Sequence, residues 1–167
     1  MSLVRGLLIA LAALHRLAEP RLKARTTLAQ LFAAAFAVFI FLNYVIQVAF
    51  VPVLVRPFEA EHGALLAALT MSNPTSLTWG LEMWGYGLLG VATWLCADVL
   101  RSASRVSRAA AACFVANGPI SILGAFATAW SPSWLMKPVG LVAFGLWNLL
   151  VVLMCGLALA SLHRSRS

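Results

Sequence analysis

Apolar residues in this chain run on without a two-residue period. From Thr26 to Val55 no charge interrupts them, and the centre of the run reads LFAAAFAVFIFLNYVIQVAFV (Leu31 to Val51). A second run, from about Thr75 to Leu95, holds a single acid, Glu82. A third, Ala109 to Trp130, and a fourth, Pro138 to Leu162, carry no charge. A helix of about 20 apolar residues crosses the hydrocarbon of a bilayer, and each run meets that length. Outer-membrane barrel strands are about 10 residues long and alternate apolar with polar; these runs do neither. Their Leu and Ala content favours helix. The pattern predicts an all-α polytopic membrane four-helix bundle, a single transmembrane domain over 26–162 with spans at about 28–54, 75–97, 108–130 and 136–161.

Composition agrees. The chain is 62% hydrophobic and only 10% charged, where a soluble domain carries about 25% charged residues. A net charge of +7 would raise nucleic acid as a partner in a soluble protein. Here the cations sit between apolar runs, which points instead to lipid head groups and to topology, with no nucleic acid.

The distribution of Lys and Arg predicts orientation, because short cytoplasmic loops are enriched in them. Arg5, Arg16, Arg21, Lys23, Arg25, Arg101, Arg105, Arg108, Arg164 and Arg166 fall on one side of a four-span protein, and Arg56 and Lys137 on the other. Both termini and the middle loop are therefore expected in the cytoplasm, with the 163–167 tail. The expected location is a bacterial inner (plasma) membrane, multi-pass.

Segment 1–25 is less regular. Gly6 to Leu14 (GLLIALAAL) is apolar but too short to span, and no small-x-small cleavage site follows it. It reads as a short N-terminal helix in the cytoplasmic interface, with Arg side chains reaching the head groups; the alternative is the remnant of an upstream span. In the first outer loop, with Pro57, Glu59, Glu61 and His62, the stretch GALLAALTM (Gly63 to Met71) reads as a second interfacial helix. Ser72 to Ser76 then supplies cap oxygens for the next span, and Ser131-Pro132-Ser133-Trp134 reads as a tight turn.

Polar groups inside apolar runs are costly and mark sites. Glu82 is the foremost. Trp79, Glu82, Tyr86, Leu89 and Thr93 share one helical face, and Asn43 and Gln47 stack four apart on the first span, Gln47 at the depth of Glu82. Asn148 lies mid-span beside Trp147, and Asn117 opens an Asn-Gly-Pro step (Asn117, Gly118, Pro119) expected to kink the third span. One reading makes Asn43, Gln47, Glu82, Tyr86, Asn117 and Asn148 a polar pocket in the outer half of the bundle. The other has them hydrogen-bonding between helices, at about 0.6 kcal/mol each. Gly80, Gly85, Gly87 and Gly90 point around the second span, predicting a central helix. Trp79, Trp84, Trp130 and Trp134 near the outer ends, with Trp94 near the inner, fit an aromatic belt. Asp98 marks the inner end of span two.

Chemistry-bearing motifs are missing. Cys96, Cys113 and Cys155 sit singly in apolar runs and read as packing residues, and His15, His62 and His163 are scattered. Nothing resembles a catalytic triad, a zinc motif, a P-loop or a dinucleotide fingerprint, so neither enzyme activity, metal nor cofactor is expected.

Two resemblances follow from particular segments. FLNYVIQVAFVPVLVRP (Phe41 to Pro57) and NPTSLTWGLEMWGYGLLGVATWL (Asn73 to Leu95) are similar to uncharacterised bacterial four-helix membrane proteins, in which an Asn/Tyr-x-x-Gln element closes the first span and an Asn-Pro turn opens a second carrying an acid and a Gly-Tyr pair. That resemblance implies the architecture and no activity. MWGYGLLGVATWL (Met83 to Leu95) also resembles the second span of the tryptophan-rich sensory or translocator family, five-helix proteins that bind porphyrins; this chain lacks that family's proline-rich approach, its Asn-x-x-Trp element and one span. Two functions stay open: a small-ligand binding or transport-associated module centred on Glu82, or a structural subunit packing against partner helices or a second copy.

Overall fold

A computed structural model describes residues 2–56, 60–101 and 104–164. Pro57, Glu59 and Arg166 lie outside the described residues. Within them the chain is all-helical, and no strand occurs. Four helices are long and apolar enough to cross a membrane: Pro20–Val55, Leu77–Leu100, Arg105–Trp130 and Pro138–His163.

The chain begins with α1 (Ser2–Leu17). Val4, Leu7, Leu11 and Leu14 follow the three-and-four spacing of one helical face, and all are buried. This stripe is covered by protein, since α1 packs against α2 and touches α5 and α7. Lys23 fastens the end of α1, its Nζ donating to the carbonyl of His15 at 2.6 Å and of Arg16 at 3.3 Å. A cation there satisfies terminal carbonyls and meets the negative end of the helix dipole. His15 Nδ1 and Thr26 Oγ1, 2.8 Å apart, add a side-chain tie.

The first long helix comprises α2 (Lys23–Val45), a widened π turn (Ile46–Phe50) and α3 (Val51–Val55). The widening has a cause. Pro52 offers no N–H, and its ring would collide with the carbonyl four residues back, at Val48. Adding a residue to the turn takes up that conflict, so the Val51 N–H bonds to Ile46 O. The third helix runs unbroken as α-helix through Pro119.

The remaining elements are α4 (Gly63–Leu69), α5 (Leu77–Cys96), α6 (Arg105–Trp130) and α7 (Pro138–Arg164). Ser76 caps α5, its Oγ accepting from Trp79 N at 3.0 Å, and Ser104 caps α6 in the same way through Ser107 N at 3.1 Å.

α5 packs against α2 on one side and α6 on the other, and α6 against α7. Glycine sets the spacing. A Cβ on Gly85 would lie 3.0 Å from Ile40 Cδ1 of α2; one on Gly90 would lie 2.7 Å from Ser121 Cβ and 3.0 Å from Gly118 O of α6. α5 is the central helix. α2 and α7, at the two ends of this row, share no extended interface; α1 touches both. Asp98 accepts from Arg25 and from Arg101 (3.1 Å), joining the start of α2 to the turn that follows α5. Asp98 therefore clasps two elements, a role its position at a span end did not suggest.

Candidate functional site

A cavity of about 310 Å³ lies between α5, α6 and α7, at the end of the array that also holds α4 and the turn before α7. Its polar centre is Glu82. Asn43, fully buried on α2, donates Nδ2 to Glu82 Oε2 at 2.7 Å and faces Met71 Sδ at 3.2 Å. Both neighbours of that amide nitrogen are acceptors, which fixes how the amide is turned and leaves Asn43 Oδ1 buried without a partner. Tyr86, one turn after Glu82, sets its hydroxyl beside the same carboxylate. Among the described residues no Lys, Arg or His side chain forms an ion pair with Glu82.

Around this acid the walls are aromatic. Trp79, Tyr86, Trp134, Phe144 and Trp147 all line the cavity, with Met71 and Met83. Trp147 stands edge-on to Tyr86, ring centres 4.9 Å apart, and stacks on Phe144 at 6.0 Å. Phe36 of α2 supports Tyr86 from behind at 5.7 Å.

These rings are held in place by hydrogen bonds. Trp147 Nε1 donates to Asn117 Oδ1 at 3.1 Å and to Ser121 Oγ at 3.0 Å, while Asn117 Nδ2 donates to Thr93 Oγ1 at 2.9 Å. Thr93 in turn donates to Gly90 O, so the chain of bonds reaches from α7 through α6 to α5. Trp134 Nε1 donates to Thr128 Oγ1 at 2.8 Å. Its backbone sits so close to α7 that a Cβ on Gly140 would fall 2.2 Å from the Trp134 carbonyl oxygen; glycine there lets the turn fold Trp134 back over the cavity. Among the described residues Trp79 Nε1 is buried with no partner.

The six residues singled out from sequence occupy two layers. Glu82, Tyr86 and Asn148 line the cavity. Asn148 is exposed, and its amide turns back to Phe144 O at 2.8 Å. Asn43 stands behind Glu82 and Asn117 behind Trp147. Gln47 does not reach Glu82: its Nε2 donates to Leu69 O at 2.7 Å and its Oε1 accepts from Met71 N at 3.2 Å. Gln47 thereby ties down the segment after α4 and sets Met71 at the cavity.

Sequence reasoning assigned Trp79 and Trp134 to an aromatic belt, whereas they are cavity walls. Their signal was available in part, since Trp79 shares the Glu82 face. Trp134 reaches the site only through the fold of its turn. Trp84, Trp94 and Trp130 do lie on the outside, Trp130 at 92% exposure. Among the described residues no group of His, Cys, Asp or Glu is placed to hold a metal ion.

No protein family, curated protein or solved structure matches this chain.

Proposed function

We propose that this protein is a multi-pass protein of a bacterial inner membrane, with both termini in the cytoplasm, and that it binds a small ligand in the cavity around Glu82. Membrane insertion is supported by the outward faces of the long helices. Val38, Leu42 and Val45 of α2 and Val139, Val142 and Leu146 of α7 are all exposed, an apolar exterior that water would not tolerate and hydrocarbon does. The proposed orientation rests on the ten cations at one end against two at the other. Single cysteines placed near residue 60 and in the tail, tested with an impermeant thiol reagent on intact cells in a background lacking Cys96, Cys113 and Cys155, check it: the first should label and the second should not.

The observation that carries ligand binding is Glu82 itself, an acid without a basic partner among the described residues, set against an open, ring-lined cavity. A polar residue kept only for helix packing would need no free volume beside it. Glu82→Gln should abolish ligand-induced stabilisation of the purified protein while leaving its helical content intact.

A second reading, a subunit that packs against another chain, is supported by α7, where Gly145 and Gly156 have nothing within 4 Å of where a Cβ would stand. Gly85 and Gly90, by contrast, are engaged with α2 and α6 inside this chain. The association test therefore moves to bulky replacements at Gly145 and Gly156, read by detergent-solubilised mass.

A further inference from the structure

We infer that the ligand class of this site is a hydrophobic organic cation, an amine or quaternary ammonium carrying an apolar body; the inference rests on the reading of the Glu82 cavity as a ligand site. Three observations converge. The side chains turned to the carboxylate from α2 and α5, Asn43 Nδ2 and the Tyr86 hydroxyl, are neutral donors. They orient the oxygens but bring no positive charge, and no basic side chain among the described residues forms an ion pair there. A counter-charge has to be a proton or to arrive from outside.

Ring geometry selects between these. Five aromatic residues line the same cavity, and aromatic faces attract cations, most strongly where water is excluded. A site intended only to hold a proton would gain nothing from them. Anions are disfavoured by the carboxylate, and a neutral apolar ligand would leave Glu82 facing hydrocarbon. A volume of about 310 Å³ suits a body of one or two rings. Met71 and Met83, flexible and polarisable, let the walls adapt to ligands of differing outline.

The test compares benzyltrimethylammonium with its neutral carbon isostere, neopentylbenzene, by equilibrium dialysis of the full-length protein in nanodiscs of zwitterionic lipid, subtracting empty nanodiscs. The expected result is saturable binding of the cation, weakened about tenfold or more by Glu82→Gln and retained in Glu82→Asp. Should Glu82→Gln fail to fold, Phe144→Leu keeps the carboxylate and removes one ring; it should weaken the cation severalfold and leave the neutral compound unchanged. If neopentylbenzene binds as well as the cation and Phe144→Leu affects both equally, the cation inference is overturned while the cavity remains a ligand site. If neither compound binds, the inference and the underlying reading both fail.

Discussion

Asn43 of α2 and Glu82 of α5 are joined by a 2.7 Å hydrogen bond across the interface of the first two long helices. Each is the other's main polar contact, so the pair serves packing and site geometry together. Asn43→Ala should lower stability by about 1–2 kcal/mol, the upper part of the range for interhelical bonds in membranes. Thermal denaturation in detergent would read the change. Because the carboxylate would lose its orienting donor, the variant should also lose ligand-induced stabilisation; retention of that stabilisation would show that Asn43 does not position Glu82.

Glycine substitutions should rank by what a new methyl group meets. At Gly90 it would strike the Ser121 Cβ and the Gly118 carbonyl, neither of which can move freely. Gly90→Ala should therefore cost about 1–3 kcal/mol through overpacking. At Gly85 the nearest atom is the end of the Ile40 side chain, which can turn aside, so the cost should be smaller. Gly145→Ala meets nothing and should be neutral or gain up to about 1 kcal/mol from helix propensity. Melting temperatures of the three variants check the order.

Gly140→Ala is the variant expected to damage the site through the backbone. Its methyl would occupy the space of the Trp134 carbonyl, forcing the turn away from α7 and withdrawing the Trp134 ring from the cavity. A shift of tryptophan emission, together with lost ligand binding and retained helicity, is the expected signature.

Pro52→Ala removes the cause of the π turn. A regular α-helix through this segment would rotate whatever precedes or follows it by about 100°, the angle of one residue. The bonds from Gln47 to Leu69 O and Met71 N could not both persist. Hydrogen exchange at the Met71 amide should accelerate in this variant and stay slow in the wild type.

Asp98→Asn breaks the links to Arg25 and Arg101. All three side chains have solvent access, Arg25 at 46% and Asp98 at 25%, so the loss should be no more than about 1 kcal/mol and should shrink as salt is added. Melts at low and high ionic strength test this directly.

Helical class was readable because long uninterrupted apolar runs admit few other structures. Glu82, Tyr86 and the Trp79 face were readable for a related reason, since an acid in such a run is rare and helical spacing fixes what lies beside it. Trp147 and Trp134 were less visible. Their roles depend on which helix neighbours which, and an apolar run with little periodicity does not say which face turns inward. The partners of Gln47 were not readable, because the segment after α4 folds back over it and nothing in the local sequence announces that return. Pro52 widens its helix into a π turn, an effect that the apolar run around it does not announce.

The absence of an extended α2–α7 interface has a consequence for access. α7 lies along α6, touches α1 and is held at its start by the turn that carries Trp134, while Val142, Leu146 and Leu149 on its other side are exposed. In the membrane-inserted protein proposed above, a small outward swing of α7 would open the cavity sideways, toward the acyl chains. A ligand that first dissolves in the bilayer would then reach Glu82 without passing through either aqueous compartment, and its uptake would follow its partitioning into lipid more closely than its concentration in water.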